Sequence, residues 1–169
     1  DLVVYSLAID KNNPELKEAR KKKIPILSYP QAVGQLTNHY FTIAICGTHG
    51  KSTVTAMLAK ILIENNFDPN VIVGTKLKEL GGSNFRVGKS KILVLEACEY
   101  KRAFLNYNPR VMVLHTLDPD HLDYYRDLAD IQSAFAELAG KLPADGYLIC
   151  DQRDPRLQPV LLNSQCLTI

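Results

Sequence analysis

The sequence contains no apolar run long enough to cross a bilayer, no signal-peptide pattern, no internal repeat and no low-complexity segment. It also carries little net charge, since basic side chains exceed acidic ones by only +2. Membrane spans need about 20 apolar residues, and binding to nucleic acid or a membrane surface usually needs a marked basic excess. We therefore expect a globular protein that binds neither nucleic acid nor a membrane.

Cysteine is scarce and scattered: Cys46, Cys98, Cys150 and Cys166 form no Cys-x-x-Cys pair. This spacing favours free thiols in a reducing compartment, so we expect a cytoplasmic protein. Of the 169 residues, 46% are hydrophobic and 22% are charged, which suffices for one domain with a real core. The chain starts at Asp1 and enters an apolar run almost at once, so we expect a piece of a longer chain.

Residues 42–53 combine an apolar run with glycines, a lysine and hydroxyls. The run ends at Gly47-Thr48-His49-Gly50-Lys51-Ser52-Thr53, and apolar side chains then follow at helical spacing as far as Leu62. The pattern predicts a strand, a tight loop and a helix. Glycines let backbone N–H groups turn around an anion, and the helix N-terminus adds partial positive charge.

This loop is suited to binding a nucleotide phosphate. Lys51 can reach the terminal phosphates, and the Ser52 hydroxyl can bind Mg²⁺. The first glycine of a generic phosphate-binding loop lies six residues before the lysine, and that position is Ile45 here. The loop is therefore a compressed variant. The alternative is an ordinary strand-to-helix turn that happens to contain glycine and lysine.

Turn-forming and polar residues between 34 and 40 divide the chain into two parts, with a joint near Asn38. Residues 1–38 predict a strand–helix–strand–helix tail, whose helices start near Asn13 and Ser28. Two strands cannot form a stable sheet alone, so we expect this tail to complete a sheet begun elsewhere. Residues 39–169 alternate strands with helices, which predicts an α/β domain with a parallel sheet covered on both faces.

The elements predicted in the second part are well separated along the chain. The predicted strands begin at Phe41 and then cover 71–73, 92–96, 110–114, 146–150 and 165–169, and the predicted helices end near Asn66 and cover 127–139 and 157–162. The glycine-containing segment 74–88 is predicted to be a long connection.

Three of the predicted strands end in groups that can bind phosphate or metal. The first ends in the 47–52 loop, the second in Glu96 with Glu99 just after it, and the third in the acid-rich segment 118–123 that contains His121. Ligands bind beyond the carboxyl ends of parallel strands. Because Mg²⁺ takes oxygen ligands beside nucleotide phosphates, Glu96 is a candidate metal ligand.

Each of these residues has a less specific interpretation. For Glu96 the alternative is a helix cap or a surface charge, and for Asp118 and Asp120 it is a turn. For His121 the alternative is a core histidine held by hydrogen bonds. His49 either contacts a substrate or only shapes the loop.

Taken together, the motifs resemble the Mur ligases. The resemblance rests on the loop 47–53, on Glu96-Ala97-Cys98-Glu99 and on Asp120-His121-Leu122-Asp123, in this order. The Gly-Thr-His-Gly-Lys loop is typical of the branch that adds L-alanine and of the closely related murein-peptide ligase. The tail around Asn13-Pro14-Glu15 resembles the end of the family's N-terminal domain. The resemblance implies that residues 1–38 end a Rossmann-like, UDP-substrate-binding domain. It implies that residues 39–169 form most of a central ATP-binding domain of the P-loop NTPase type, and that a C-terminal domain is absent.

The resemblance also implies an activity. Family members use ATP and Mg²⁺ to convert a substrate carboxylate into an acyl phosphate, which the amine of an amino acid then attacks. For the alanine-adding branch the substrates are UDP-N-acetylmuramate and L-alanine, and the product is a peptidoglycan precursor. The chain alone is expected to be inactive or nearly so.

Roles for individual residues follow from the same resemblance. Lys51, Glu96 and His121 are the expected catalytic residues. Ser52 and Glu96 would hold a first Mg²⁺, and His121 would help to place a second. Asn84 and Arg86 are weaker candidates for sugar-nucleotide binding. The expected nucleotide-binding set is Gly47, Thr48, His49, Gly50, Lys51, Ser52 and Thr53.

Several positions depart from the family pattern. Cys98 stands where the family usually has Asp, Ser52 where it usually has Thr, and His115-Thr116 where a Thr-Asn pair is usual. No lysine lies between Leu122 and Gly140, as in the alanine-adding branch. Two other functions stay open: a recycling ligase that attaches a tripeptide to UDP-N-acetylmuramate, and a nucleotide-binding module without ligase activity, for which Cys98 is the best argument.

Overall fold

The computed structural model describes all 169 residues and contains nine strands and five α-helices. The strands are β1 Val3–Tyr5, β2 Ile26–Ser28, β3 Phe41–Cys46, β4 Asn70–Leu77, β5 Ser83–Arg86, β6 Ile92–Glu96, β7 Val111–Leu114, β8 Tyr147–Cys150 and β9 Leu167–Thr168. The helices are α1 Pro14–Lys21, α2 Tyr29–Thr37, α3 Lys51–Glu64, α4 Leu128–Ala139 and α5 Gln158–Asn163. None of the helices combines the length and apolar character needed to span a bilayer.

Seven strands form one sheet in the order β5-β4-β6-β3-β7-β8-β9, and β1 pairs with β2 in a separate two-stranded sheet. All pairs in both sheets are parallel except β4–β5. The predicted α/β fold with a parallel sheet is therefore confirmed. The predicted connection 74–88 is wrong in part, because β4 continues to Leu77 and β5 returns antiparallel along the edge of the sheet.

Alternation along β3 distributes its side chains between two hydrophobic layers. Ala44 and Cys46 face the larger cluster, which also holds Phe135 of α4, whereas Ile45 faces a smaller cluster with Ala59 of α3. Helices α3 and α4 therefore cover opposite faces of the sheet, as the alternating pattern predicts. This arrangement leaves the carboxyl ends of β3, β6 and β7 side by side at one edge.

Two helix starts match their sequence signals. The Asn13 side chain accepts hydrogen bonds from the backbone of Glu15 and Leu16 at the start of α1. Ser28 and Gln31 form a capping box at the start of α2. Such caps satisfy N–H groups that the first helical turn leaves without partners.

Helix α2 packs unusually close to the backbone of a 3₁₀ segment, Tyr100–Asn106. A Cβ built on Gly34 would lie 2.3 Å from the carbonyl oxygen of Asn106. One turn further on, the Thr37 hydroxyl accepts a hydrogen bond from the backbone N–H of Asn108 at 3.0 Å. The absent side chain at Gly34 is what allows this contact between α2 and the segment that links β6 to β7.

We expect Gly34→Ala to destabilise the chain by about 2 kcal/mol, because overpacking against a fixed backbone atom costs about 1–3 kcal/mol. The better helix propensity of alanine, about 1 kcal/mol, offsets part of the clash. Urea denaturation at constant m-value measures the change. An unchanged or higher midpoint would show that α2 can move away from Asn106 without loss.

Candidate active site

The loop between β3 and α3 needs glycine at both ends. Gly47 has φ 134° and Gly50 has φ 76°, values that L side chains rarely adopt. A Cβ on Gly47 would lie 2.9 Å from two backbone atoms of Thr116, and one on Gly50 would lie 2.7 Å from the His115 ring. The loop therefore runs directly against the segment that follows β7, and α3 begins at once with Lys51.

Hydrogen bonds fasten the middle of this loop to residues 116–118. The Thr48 backbone N–H donates to the carbonyl of Thr116 at 2.9 Å, and the His49 N–H donates to the Thr116 hydroxyl at 3.0 Å. In return, the backbone N–H of Asp118 donates to the Thr48 hydroxyl at 3.0 Å. The backbone N–H of His49 thus helps to hold the loop in shape, whereas the His49 side chain is exposed to solvent.

Lys51 turns back over the loop that precedes it. Its Nζ donates to the carbonyls of Gly47 at 2.8 Å and Thr48 at 3.1 Å, and to Glu99 Oε1 at 3.0 Å. The lysine side chain is 13% exposed and that of Glu99 only 1%. The ammonium group is thus held at the carboxyl edge of the sheet by the loop and by one buried carboxylate.

Glu99 joins Lys51 to His121. Its Oε1 lies 3.4 Å from His121 Nε2. Its Oε2 is buried and lies 3.0 Å from the lysine nitrogen, yet it has no hydrogen-bond donor in good alignment. The backbone carbonyl of Glu99 accepts a hydrogen bond from the buried Tyr125 hydroxyl. A buried carboxylate oxygen without a well-aligned donor retains the capacity to bind a cation.

Glu99, Asp120 and His121 each offer one potential metal-ligand atom, and these three atoms lie within 4.8 Å of one another. His121 has φ 51°, and its backbone N–H donates to Asp120 Oδ1 at 2.7 Å. Carboxylate oxygens suit a hard cation such as Mg²⁺. This donor set, with a buried Glu99 carboxylate that has one oxygen without a well-aligned donor, fits the metal that the resemblance implies near His121.

The other predicted metal ligands occupy a different part of the edge. Glu96 ends β6 and its Oε2 accepts the backbone N–H of Gly74 at 2.8 Å. Ser52 lies in the first turn of α3, where it lines a polar cleft with Lys60 and Glu79. The structure thus joins Lys51 to His121 through Glu99, whereas Glu96 is held by the backbone of Gly74 within β4.

Asn84 and Arg86 lie away from the phosphate loop. Both belong to β5, and Arg86 pairs with Val71 near the amino end of β4. Its guanidinium donates to the carboxylate of Asp68 and to the carbonyl of Pro69. The hydrogen bond to Asp68 lowers the pKa of that carboxyl. The two residues line an open apolar groove of about 750 Å³ between α2 and the sheet edge. Their role in sugar-nucleotide binding stays a prediction.

Cys98 lies between the two acids of the second motif. Although Cys98 is exposed, desolvation by its neighbours raises the pKa of its thiol, and the nearby Glu99 carboxylate raises it further. The side chain is therefore a neutral thiol at physiological pH and does not replace the negative charge of an aspartate. All four cysteines are free, and burial also raises the pKa of Cys46.

The site predicted from the sequence does not include Glu99, Tyr100 or Thr116, although Glu99 lies within a motif and Thr116 at a position of the family pattern. One signal was present for Glu99: it is a second acid three residues after a strand-ending acid. Its burial beside Lys51 depends on the turn formed by residues 100–106, which no local pattern predicts. Tyr125 packs in the core, whereas its neighbour Tyr124 is 42% exposed.

Family models match both parts of the chain. The model of the Mur ligase middle domain matches residues 45–168, which is most of the chain. The model described as the catalytic domain of the Mur ligase family matches residues 1–41.

Individual proteins give the same picture. The chain is 44% identical over 170 aligned positions to a UDP-N-acetylmuramate–L-alanine ligase of Clostridium beijerinckii, covering 100% of this chain and 37% of that protein. A solved UDP-N-acetylmuramate:L-alanyl-gamma-D-glutamyl-meso-diaminopimelate ligase from Neisseria meningitides has a TM-score of 0.87 at 26% identity, covering 99% of this chain and 57% of the other. The UDP-N-acetylmuramate-alanine ligase MurC from Thermotoga maritima has a TM-score of 0.77 at 26% identity, covering 94% and 37%. The chain thus spans little more than a third of the curated relatives it matches.

Proposed function

The chain belongs to the Mur ligase family, and from this premise we propose that it serves an ATP-dependent ligase that joins L-alanine to UDP-N-acetylmuramate in the cytoplasm. In this proposal residues 1–38 end the domain that binds the UDP substrate, and residues 39–169 form most of the central ATP-binding domain. The observation that carries it is the connection from Lys51 through buried Glu99 to His121, set beside a glycine loop at a helix N-terminus.

The proposed reaction has two steps. The carboxylate of UDP-N-acetylmuramate attacks the γ-phosphorus of ATP, the bond to the β–γ bridging oxygen breaks, and ADP leaves an acyl phosphate behind. The amine of L-alanine then attacks the acyl carbon, inorganic phosphate leaves with the bonding electrons, and the nitrogen gives up a proton as the amide forms. Charge builds on the phosphoryl oxygens in the first step, so fixed cationic groups and N–H donors favour it.

Within this scheme Lys51 would carry the positive charge that faces the β- and γ-phosphates. In the structure its ammonium is bound by two loop carbonyls and Glu99, so a triphosphate would compete with neighbours that already hold the lysine near the loop. Gly50 and the first turn of α3 would direct backbone N–H groups to the phosphates.

Magnesium would neutralise phosphate charge and polarise the γ-phosphoryl group when bound. We assign Ser52 and Glu96 to the ion beside the β- and γ-phosphates. We assign His121, with Glu99 and Asp120, to an ion near the substrate carboxylate, because one ligand atom from each of these three residues provides a compact donor set.

The tripeptide-attaching ligase is the second candidate function. It is favoured by the similarity to the ligase from Neisseria meningitides, with which this chain superposes over 99% of its length. The two candidates share the nucleotide chemistry and differ only in the amine that attacks the acyl phosphate.

We expect the full-length protein that carries this chain to release phosphate from ATP when it receives Mg²⁺, UDP-N-acetylmuramate and L-alanine together. The test compares L-alanine with L-alanyl-γ-D-glutamyl-meso-diaminopimelate, and the 169-residue chain alone is the control expected to be inactive. Activity with the tripeptide only would replace the first candidate by the second. Binding of Mg-ATP without phosphate release in either mixture would favour a nucleotide-binding module and contradict both ligase assignments.

A further inference from the structure

We propose that Tyr100 is a positioning residue that fixes the imidazole of His121, an inference that rests on the proposed function of His121 in holding a metal ion. The two rings lie with their centroids 4.9 Å apart at an angle of 45°. The Tyr100 hydroxyl donates a hydrogen bond to Asp123 Oδ2 at 2.9 Å. The tyrosine therefore contacts both His121 and a residue two positions beyond it.

His121 needs such support because its own segment constrains it weakly. It lies in a turn between β7 and α4, its backbone is in the left-handed region, and its side chain is 33% exposed. The turn itself is held by hydrogen bonds from the N–H groups of Tyr124 and Tyr125 to the His121 carbonyl. These bonds fix the backbone, so the side-chain torsions of His121 are restricted only by the groups that pack against its imidazole.

The Tyr100 ring is held in place on other sides. The Tyr124 ring meets it edge-on with centroids 6.1 Å apart, and Lys101 Nζ lies 5.3 Å from its centroid. The Asp123 carboxylate fixes the hydroxyl end. A ring fixed at its edge, its face and its tip can restrict the imidazole that leans on it.

Two neighbouring contacts join residues 99–100 to residues 121–123. Glu99 meets the imidazole of His121 at Nε2, and the next residue, Tyr100, packs against the imidazole at a tilt of 45° while binding Asp123. The Glu99 contact directs the nitrogen and the Tyr100 contact limits rotation of the ring. Groups that orient a metal ligand without touching the metal typically change metal affinity about 10–100-fold when removed.

The test measures Mn²⁺ binding to the full-length protein that carries this chain, in the presence of a non-hydrolysable ATP analogue. We expect Tyr100→Ala to weaken Mn²⁺ binding about tenfold, and Tyr100→Phe, which keeps the ring but loses the hydroxyl, to recover most of that loss. Tyr147→Ala is the matched control, because Tyr147 is 40% exposed at the opposite, amino end of β8. Thermal melting of all variants separates a change in metal affinity from unfolding.

A second readout needs no metal or nucleotide. Tyr100 should give cross-relaxation signals to the His121 ring protons in the wild-type NMR spectrum, and those ring protons should shift upfield. In Tyr100→Ala the His121 ring should become rotationally averaged, whereas Tyr100→Phe should keep a single ring orientation. A rigid His121 ring in folded Tyr100→Ala would overturn the proposal.

The two readouts separate this inference from the proposed function. If the wild-type full-length protein binds no Mn²⁺ and no nucleotide analogue, the proposed function fails, and the NMR comparison alone decides whether Tyr100 orients His121. If binding occurs and Tyr100→Ala matches the wild type, the positioning role is refuted while the proposed function stands.

Discussion

Replacing Lys51 with methionine is expected to destabilise the chain by about 3 kcal/mol at neutral pH, because removing one partner of a buried ion pair leaves an uncompensated charge. The charge in question is the Glu99 carboxylate, whose side chain is 1% exposed. Its other cationic neighbour, His121 Nε2, is 3.4 Å away and carries charge only when protonated. Urea denaturation of the wild type and the variant measures the loss.

A double-mutant cycle identifies Glu99 as the cause. Glu99→Gln alone should cost less than Lys51→Met, because the lysine keeps its hydrogen bonds to the carbonyls of Gly47 and Thr48. Adding Glu99→Gln to Lys51→Met should restore part of the stability, with a coupling of about 1–3 kcal/mol. If the two losses simply add, the lysine and the glutamate are energetically independent, and this result would contradict the proposed coupling of Lys51 to Glu99.

Gly50→Ala is expected to weaken nucleotide binding by at least about tenfold, or about 1.4 kcal/mol. The new Cβ would lie 2.7 Å from the His115 ring, and the backbone of the alanine would have to adopt φ 76°. Either the loop or His115 must move, and the loop N–H groups then lose their alignment towards the phosphates. Titration with a fluorescent ATP analogue measures the change.

Two further variants separate the clash from the backbone strain. His115→Ala in the Gly50→Ala background removes the obstructing ring, so nucleotide affinity should recover in part. Gly81→Ala carries a similar strain at φ 67° but has no atom within 4 Å of its Cβ, so it should cost about 1 kcal/mol of stability and leave nucleotide affinity near the wild-type value. Equal affinities for Gly50→Ala and the wild type would contradict the role of the loop.

Local patterns predicted the elements that carry the site. The apolar run before Gly47 and the helical spacing after Lys51 predicted β3 and α3. The acids that follow predicted strands indicated that the site lies at the carboxyl ends of the strands. These features depend on neighbouring residues only, since strand alternation and helix periodicity are local properties.

Other features depend on distant contacts and could not be predicted in this way. Strand β5 is short and polar, and it forms only because β4 offers it an edge. The choice of Glu99 over Glu96 as the partner of Lys51 depends on the turn at Lys101 and Arg102, both of which have positive φ. Non-glycine residues rarely adopt that conformation, so the sequence predicts neither the turn nor the burial of Glu99.

Isothermal titration of the 169-residue chain with ATP, in Mg²⁺ and in excess EDTA, tests most directly whether the loop around Gly50 and Lys51 binds a nucleoside triphosphate with its metal. We predict saturable one-site binding in Mg²⁺ that weakens at least about tenfold in EDTA and in Lys51→Met, a loss of about 1.4 kcal/mol or more. Absence of binding by the folded chain, or equal affinity in all three titrations, would contradict the account.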